Sequence, residues 1–141
     1  SLNFFMNDIK LIAEILNSSR TIAIVGFSAN HMRPSNRIGR YMRGNGYTVY
    51  GVNPGLDKTE VDEIRCFAKL SDLPEPPHII NIFRRSEFVF DIIQEIIEMN
   101  YEPIAIWTQI GVISSEAKEI AVSKGFVYIE NKCIMVEHNN L

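Results

Sequence analysis

The sequence predicts a doubly wound α/β fold, in which a parallel sheet of about five strands carries helices on both faces. Short, continuous apolar runs such as residues 21–25 recur along the chain, and such runs are typical of strands covered on both faces. Segments with apolar residues at helical spacing lie between them, and strands that alternate with helices favour a parallel sheet. Because crossovers are right-handed, we expect the strand order 3-2-1-4-5, with a ligand crevice beside the first strand.

The individual elements follow in a regular order. Phe5, Ile9, Ile12 and Leu16 have helical spacing and predict an amphipathic helix over 4–17 that docks on the domain. A loop, with a short strand or a helical turn as the alternative, is predicted for 54–77, and the type of the last element in 132–141 stays open. The other predictions are strands at 21–25, 47–52, 79–83, 104–107 and 126–129, and helices at 34–43, 86–99 and 115–124.

Length and composition favour one globular domain spanning residues 1–141. Hydrophobic residues make up 46% and charged residues 22%, and the net charge of −3 argues against a broad nucleic-acid or membrane interaction. No apolar run approaches the roughly 18 residues of a membrane span, and the N-terminal residues show no secretory signal pattern. Two cysteines, Cys66 and Cys133, do not make a disulfide framework. We therefore expect a cytoplasmic protein that binds neither nucleic acid nor membrane.

The segment after the first strand has the features of a phosphate-binding turn. Gly26 and Phe27 close the strand, Ser28 follows, and Arg33 and Ser35 flank the start of a predicted helix. Amides at a helix N-terminus and the helix dipole favour an anion, glycine permits a sharp turn, and arginine offers a bidentate fork. A plain strand-to-helix turn with a capping serine is the alternative.

The predicted helix over 34–43 also carries a basic side. Arg33 and Arg37 lie near its N-terminal end, where a cation opposes the helix dipole and therefore fits a nearby anion. Arg40 and Arg43 lie further along, and a solvated surface is the better interpretation for them.

Two signs of a nicotinamide dinucleotide site are missing. The GxGxxG fingerprint would place glycines where this chain has Ser28 and His31. An acidic residue would end the second strand, but the chain has Asn53 followed by Pro54, and the acids begin only at Asp57. An NAD(P)-binding redox module stays as an alternative, and Asn-Pro is also an ordinary turn.

Two further clusters end later strands. Phe83, Arg84 and Arg85 end the strand at 79–83, where one guanidinium is expected to face a ligand and a surface ion pair is the alternative. The cluster after the next strand contains Trp107, the only tryptophan, which either packs over a ligand or anchors the core. Its other members supply a hydrogen-bonding side chain and a close backbone approach, namely Gln109 and Gly111.

A last group, Cys133 with Glu137 and His138, does not predict chemistry. A closed metal site needs four ligands, and no second pair with ligand spacing is visible. A catalytic cysteine needs a base or dipole to stabilise its thiolate. We therefore expect no metal site and no catalytic residues.

Taken in this order, the clusters resemble those of the stand-alone CoA-binding proteins, in which a Rossmann-like CoA-binding domain occurs alone. The fold is similar to that of the CoA-binding half of the succinyl-CoA synthetase alpha subunit. The resemblance covers residues 18–141 and rests on an ordered set of motifs, namely Val25-Gly26-Phe27-Ser28, Arg33-Pro34-Ser35, Val52-Asn53-Pro54, Phe83-Arg84-Arg85, Trp107-Thr108-Gln109-Ile110-Gly111 and Cys133 with Glu137-His138.

The resemblance implies a Rossmann-like domain that binds coenzyme A. The phosphohistidine domain and the nucleotide-activating subunit of the synthetase have no counterpart in these 141 residues. The glycine-rich, lysine-containing loop of the synthetase is reduced to one glycine and one lysine in 54–58. The resemblance implies that Gly26, Phe27 and Ser28 line the phosphates. It implies that the adenosine is flanked by Asn53, Pro54, Phe83 and Arg84. The pantetheine arm would face Gln109 and Gly111.

The expected function is therefore non-catalytic binding of CoA or an acyl-CoA, as a carrier, sensor or regulator. Alternatives are the NAD(P) module, an acyl-CoA enzyme that uses Cys133 or His138, and a subunit or relic of an acyl-CoA ligase that works with a partner. The expected partner is a nucleotide ligand, and a homo-oligomer or protein partner stays open.

Overall fold

A computed structural model describes residues 2–141, with side chains from residue 8 onward and that of Met6, so the predicted contact of Phe5 lies outside the described side chains. The predicted doubly wound α/β architecture is confirmed. The sheet has seven strands in the order β3-β4-β2-β1-β5-β6-β7. They are β1 (Thr21–Val25), β2 (Thr48–Val52), β3 (Thr59–Val61), β4 (Ile64–Phe67), β5 (Ile79–Ile82), β6 (Ala105–Thr108) and β7 (Tyr128–Ile129).

The two strands beyond the predicted five form a hairpin within residues 59–67. β4 pairs parallel with β2 and takes the third place in the sheet, while β3 pairs antiparallel with β4 at the edge. Counted along the chain without β3, the parallel strands have the order 3-2-1-4-5-6. The strand predicted at 79–83 was the third along the chain and was expected beside the second strand. As β5 it lies beside β1 instead. Strands of three and four residues are too short to give a clear period-2 pattern.

Helices cover both faces of the sheet. One apolar cluster joins the inner faces of α1, α2 and α5 to the sheet, and a second cluster joins α3 and α4 to the opposite face. None of the helices in the described part of the chain is long and apolar enough to cross a membrane. The helices are α1 (Leu2–Ser18), α2 (Pro34–Gly44), α3 (Val89–Glu98), α4 (Ser115–Ser123) and α5 (Ile134–Asn139). The last element, whose type the sequence left open, is therefore a helix.

A close contact between β2 and the residue after Gly26 fixes the turn at the end of β1. A Cβ atom on Gly51 would lie 2.6 Å from Cδ2 of Phe27 and 2.9 Å from Sγ of Cys66. Only glycine leaves room there, so the Phe27 ring packs closely against Gly51 of β2 with no exposed surface. The chain therefore leaves β1 in a fixed direction, with Gly26 donating its N–H to the Val52 carbonyl at 2.9 Å.

Candidate functional site

A cavity of about 550 Å³ opens at the carboxyl edge of the sheet, where β1, β2, β4 and β5 end. Four residues expected from the sequence, Gly26, Asn53, Pro54 and Arg84, lie together in its wall. This is the crevice beside β1 in which ligands of open α/β sheets bind. The remaining lining residues are mainly apolar, with one cation and one acid, namely Val25, Val52, Ala68, Lys69, Leu70, Ile92 and Glu95.

Gly26 allows the Arg84 side chain to cross the end of β1. Gly26 has a positive φ of 88°, and a Cβ atom there would lie 3.1 Å from Cδ of Arg84 and 3.3 Å from the carbonyl carbon of Phe83. The Arg84 guanidinium lies 4.4 Å from the centre of the Phe88 ring, which orients it by a cation–π contact. Arg85 is exposed and pairs with Glu87 at 3.3 Å. Of the two adjacent arginines, Arg84 alone lines the cavity.

The loop between β1 and α2 is ordered by its own hydroxyl groups. The N–H of Ser28 donates to Oγ of Ser35 at 3.0 Å, and the N–H of Asn30 donates to Oγ of Ser28 at 3.0 Å. Ser35 is only 5% exposed and does not line the cavity, so its hydroxyl shapes the loop and is not presented at the surface. Ser35 flanks the start of α2 as expected, but its hydroxyl accepts from the loop and is not offered to a ligand.

The N-terminal end of α2 remains open to an anion. Arg33 occupies the N-cap position without a side-chain cap, Pro34 begins the helix, and the first turn contains no acid. The first amides of a helix have no partner within the helix, and its dipole places partial positive charge there. Arg33 and Arg37 are exposed and form no ion pair with any residue the structure describes, whereas Arg43 pairs with Glu63 at 2.9 Å.

Asn53 ties the loop after β2 to the loop after β1. Its Nδ2 donates to the carbonyl of Phe27 at 2.8 Å, and its Oδ1 accepts the N–H of Gly55 at 2.9 Å. The same residue lines the cavity, together with exposed Pro54. Asn53 therefore shapes the cavity rim, and part of its hydrogen-bonding capacity remains for a ligand.

Two aromatic residues expected near the ligand belong to the core. Phe27 and Trp107 have no exposed surface. The Trp107 indole Nε1 donates to the carbonyl of Lys132 at 2.9 Å, and its ring packs in the cluster that contains Ile129 and Cys133. For Trp107, the core position that the sequence left as the alternative is the observed one, and Phe27 is left only its backbone to line a phosphate.

The cluster after β6 lies along the same sheet edge but outside the cavity. Gln109 donates its N–H to the Ile82 carbonyl at 3.1 Å, which places it beside the end of β5. Its Oε1 is buried and has no partner among the residues described. Gly111 is exposed with a φ of 86°, and Phe83 is half-buried against the core on the α2 face. These residues extend the edge away from the cavity, so the structure does not bring all the expected residues around one hollow.

Sequence reasoning missed the polar residues on the far wall of the cavity. Lys69 follows the short strand β4, and Glu95 lies in the second half of α3. Burial raises the pKa of the Glu95 carboxyl; Lys69 nearby opposes this rise and Glu98 adds to it. Glu95 was missed because the sequence of α3 shows a wide apolar stripe but not which polar residue beside that stripe faces a cavity. The position of Lys69 at a strand's carboxyl end was the one available signal.

The residues near the C-terminus are held by packing and by contacts with tyrosines. Cys133 is 7% exposed and starts the six-residue helix α5. Nδ1 of His138 lies 3.0 Å from the Tyr41 hydroxyl, and the His138 ring meets Tyr47 edge-on at 5.7 Å. No group of three metal-ligating side chains occurs within the described range. His138 is thus held by two tyrosines, in the packing of α5 against α2.

Comparison with known proteins places the chain in a family. Residues 20–139 match the family described as "CoA binding domain". The chain belongs to the CoA binding domain family. A Bacillus subtilis (strain 168) relative described as "Uncharacterized protein YneT" is 35% identical over 127 residues, which is 90% of this chain and 91% of that protein.

Solved structures share the fold of this chain. A Thermus thermophilus protein described as "cell-free ID.343" superposes with a TM-score of 0.88 at 30% identity, over 94% of this chain and 97% of that one. A "hypothetical protein" from Pyrococcus horikoshii OT3 superposes with a TM-score of 0.86 at 28% identity, over 94% and 91% of the two chains. The fold is therefore the Rossmann-like fold of CoA-binding domains.

Proposed function

We propose that this protein binds coenzyme A or an acyl-CoA at the carboxyl edge of its sheet and acts as a non-catalytic carrier, sensor or regulator. One observation carries the proposal: in a member of the CoA binding domain family, a cavity of about 550 Å³ opens at Gly26, where the chain leaves β1 for the loop that leads to the uncapped N-terminus of α2. Apolar walls suit a base, and nearby cations and amides suit phosphates. We place the protein in the cytoplasm, where its two thiols stay reduced.

The adenosine end of CoA would occupy the cavity. Val52, Leu70 and Ile92 supply apolar surface for the flat base, and Asn53 and Pro54 flank the adenosine at the rim. Such a slot buries a purine without leaving the apolar walls exposed to water. Arg84 lies in the cavity wall beside Gly26, at the end of the first strand. Its guanidinium would bind a phosphate oxygen.

The phosphates of CoA would lie between the cavity and the N-terminus of α2. Exposed Arg33 and the N–H of Ser35 are the donors expected there, since Pro34 has no N–H and Asn36 has no exposed surface, and Ser28 lies on the connecting loop. A phosphate at this place gains both hydrogen bonds and the favourable end of the helix dipole. We assign the diphosphate and the 3′-phosphate to this region.

The pantetheine arm would then run along the edge towards β6. Gln109 and Gly111 lie there, and the buried Oε1 of Gln109 lacks a partner among the described residues, so that an amide N–H of pantetheine could donate to it. Trp107 supports this stretch from below as a core residue. Cys133, at 7% exposure, does not favour a mixed disulfide with the CoA thiol.

Isothermal titration calorimetry of the purified protein with CoA, dephospho-CoA and NADH tests the proposal. We expect saturable heat with CoA, weaker binding of dephospho-CoA because the 3′-phosphate is missing, and no saturation with NADH. The absence of heat from CoA at near-millimolar concentration would refute the proposal. Tighter binding of NADH than of CoA would favour the redox-module alternative instead.

A further inference from the structure

The loop that follows β1 is held by a hydrogen-bond network that reaches an acid outside the cavity. This acid is Asp62, at the tip of the β3–β4 hairpin, where Asp62 and Glu63 have positive φ values of 50° and 67°. The hairpin turn places the Asp62 side chain against α2 and the loop. The hairpin therefore contributes to the shape of the loop, although it is distant from it in sequence.

Asn36 is the centre of this network. It lies in the first turn of α2 with no exposed surface, and its Nδ2 donates both to the Ser28 carbonyl and to Oδ2 of Asp62, each at 3.0 Å. Its Oδ1 accepts from Nε of Arg40 at 2.8 Å. A donor on one end and an acceptor on the other fix the orientation of this amide, and thereby the position of the Ser28 carbonyl.

Asp62 also holds the other end of the loop. Its Oδ2 lies 3.3 Å from Nδ1 of His31, and Nη2 of Arg40 donates to the His31 carbonyl at 2.9 Å. Hydrogen bonds from Asn36 and then His31 lower the pKa of the Asp62 carboxyl, so the group is ionised at neutral pH. One carboxylate thus bridges both ends of the loop that leads into α2.

Simple electrostatics would disfavour an acid at this place. A carboxylate close to a phosphate site repels the ligand, so its removal should strengthen binding if it had no other effect. Pre-ordering of a loop has the opposite consequence, because the ordering entropy is then not lost when the ligand binds. The two effects predict changes of opposite sign.

We propose that Asp62 is a positioning residue that orders the loop of residues 28–31 for the phosphates of the ligand. The inference rests on the proposed CoA site. Asp62 itself touches no ligand and acts through Asn36 and His31. Arg40 completes the network, which explains why this arginine is not available to an anion, in contrast to Arg33 and Arg37.

Two substitutions of Asp62 separate positioning from charge. Asp62→Gly removes the acceptor and tolerates the positive φ, and we expect CoA affinity to fall about three- to tenfold, as for the loss of a hydrogen-bond anchor. Asp62→Asn keeps an acceptor oxygen for Asn36 and also tolerates this φ, so it should bind CoA at least as tightly as the wild type. The matched control is Glu63→Gly in the same turn, which loses only the exposed contact with Arg43 and should leave affinity unchanged within about twofold.

Calorimetry with CoA on these variants, together with hydrogen exchange of the free proteins, gives the decision. We expect faster exchange of the Ser28, Asn30 and Met32 amides in Asp62→Gly alone. Equal or tighter CoA binding by Asp62→Gly would overturn the proposal, as would unchanged exchange. Failure of the wild type to bind CoA would count against the proposed function, and the exchange data would then decide by themselves whether Asp62 orders the loop.

Discussion

The loops after β1 and β6 occupy equivalent positions in the fold, yet the helix after β6 has a side-chain cap at its N-terminus and the helix after β1 has none. Each begins near a glycine with positive φ, Gly26 at 88° and Gly111 at 86°, and each leads into a helix. The N-cap of α4, Ser114, accepts from the N–H of Ala117 at 3.2 Å. The N-cap of α2, Arg33, provides no such bond.

The loop after β6 also uses its own amides. The N–H of Gly111 donates to Oδ1 of Asn131 at 2.7 Å, that of Ile113 to Oγ of Ser86 at 2.9 Å, and that of Ser114 to Oε2 of Glu130 at 3.1 Å. Side chains have thus taken the places that an anion would occupy at α4. The loop after β1 also pairs its amides internally, so the two loops differ at the cap: the first turn of α2 has no side-chain acceptor and is flanked by the exposed cations Arg33 and Arg37, which favours an anion there.

The largest expected effect comes from closing α2 as α4 is closed. Arg33→Asp would place a capping carboxylate at the N-cap, raising the free energy of unfolding by about 0.5–2 kcal/mol. The same carboxylate would compete with the phosphates, and we expect CoA affinity to fall on the order of a hundredfold. Thermal unfolding and calorimetry measure the two changes. A stabilised variant with unchanged CoA affinity would break the comparison.

The next effect concerns the cation in the cavity wall. Arg84→Ala should weaken CoA binding on the order of tenfold, since a charge-assisted hydrogen bond to phosphate is lost. Arg85→Ala is the matched control, because Arg85 is exposed and pairs with Glu87 outside the cavity. Equal losses in both variants would show that the effect is a general one of charge and not of the cavity.

A smaller effect is expected at the closed end. Ser114→Ala removes the cap of α4 and should lower the free energy of unfolding by about 0.5–2 kcal/mol. Because Ser114 lies outside the cavity, CoA affinity should stay within about twofold of the wild-type value. Urea denaturation and calorimetry give both numbers. A large loss of CoA affinity would mean that the loop after β6 binds phosphate after all.

The smallest expected effect depends on pH. Burial raises the pKa of Glu95 above its ordinary value of 4.5 in the folded protein, so the folded state holds this proton more tightly than the unfolded state. The stabilisation from this group is present below the unfolded-state pKa and is lost as the pH rises through the raised value. Glu95→Gln should therefore be more stable than the wild type near pH 7, and the difference should vanish below about pH 4.

Urea denaturation at both pH values measures this difference. Exposed Glu102, changed to Gln, is the control and should show no gain in stability. A Glu95→Gln variant that is less stable than the wild type near pH 7 would contradict the assignment, because it would mean that the carboxylate has a stabilising partner in the cavity.

Much of the site could be predicted because it follows from topology. Once strands and helices alternate, the carboxyl ends of the strands must lie on one edge, which brings Gly26, Asn53 and Arg84 together whatever the details of packing. The direction of a side chain at a strand end does not follow in this way. Trp107 points into the core, and its position in the sequence does not exclude a ligand contact. Gly51 makes room for Phe27, but the sequence does not show which side chain fills the space beside this glycine.

Other parts required the three-dimensional arrangement. The hairpin of β3 and β4 is short and charged, so the sequence offered a short strand only as an alternative to a loop in 54–77. The third place in the sheet and the role of Asp62 therefore did not follow from the sequence. Lys69 and Glu95 meet at the cavity only because β4 lies beside β2 and α3 crosses above.

An NMR titration of the isotope-labelled protein with CoA tests the central claim most directly. The account predicts that the largest amide shift changes fall on Gly26, Ser35, Asn53 and Lys69, around the cavity and the N-terminus of α2. The amides of Ser114 and Ala117 at the closed α4 should change least. Shift changes confined to the amino edge of the sheet, or none at near-millimolar CoA, would contradict the account.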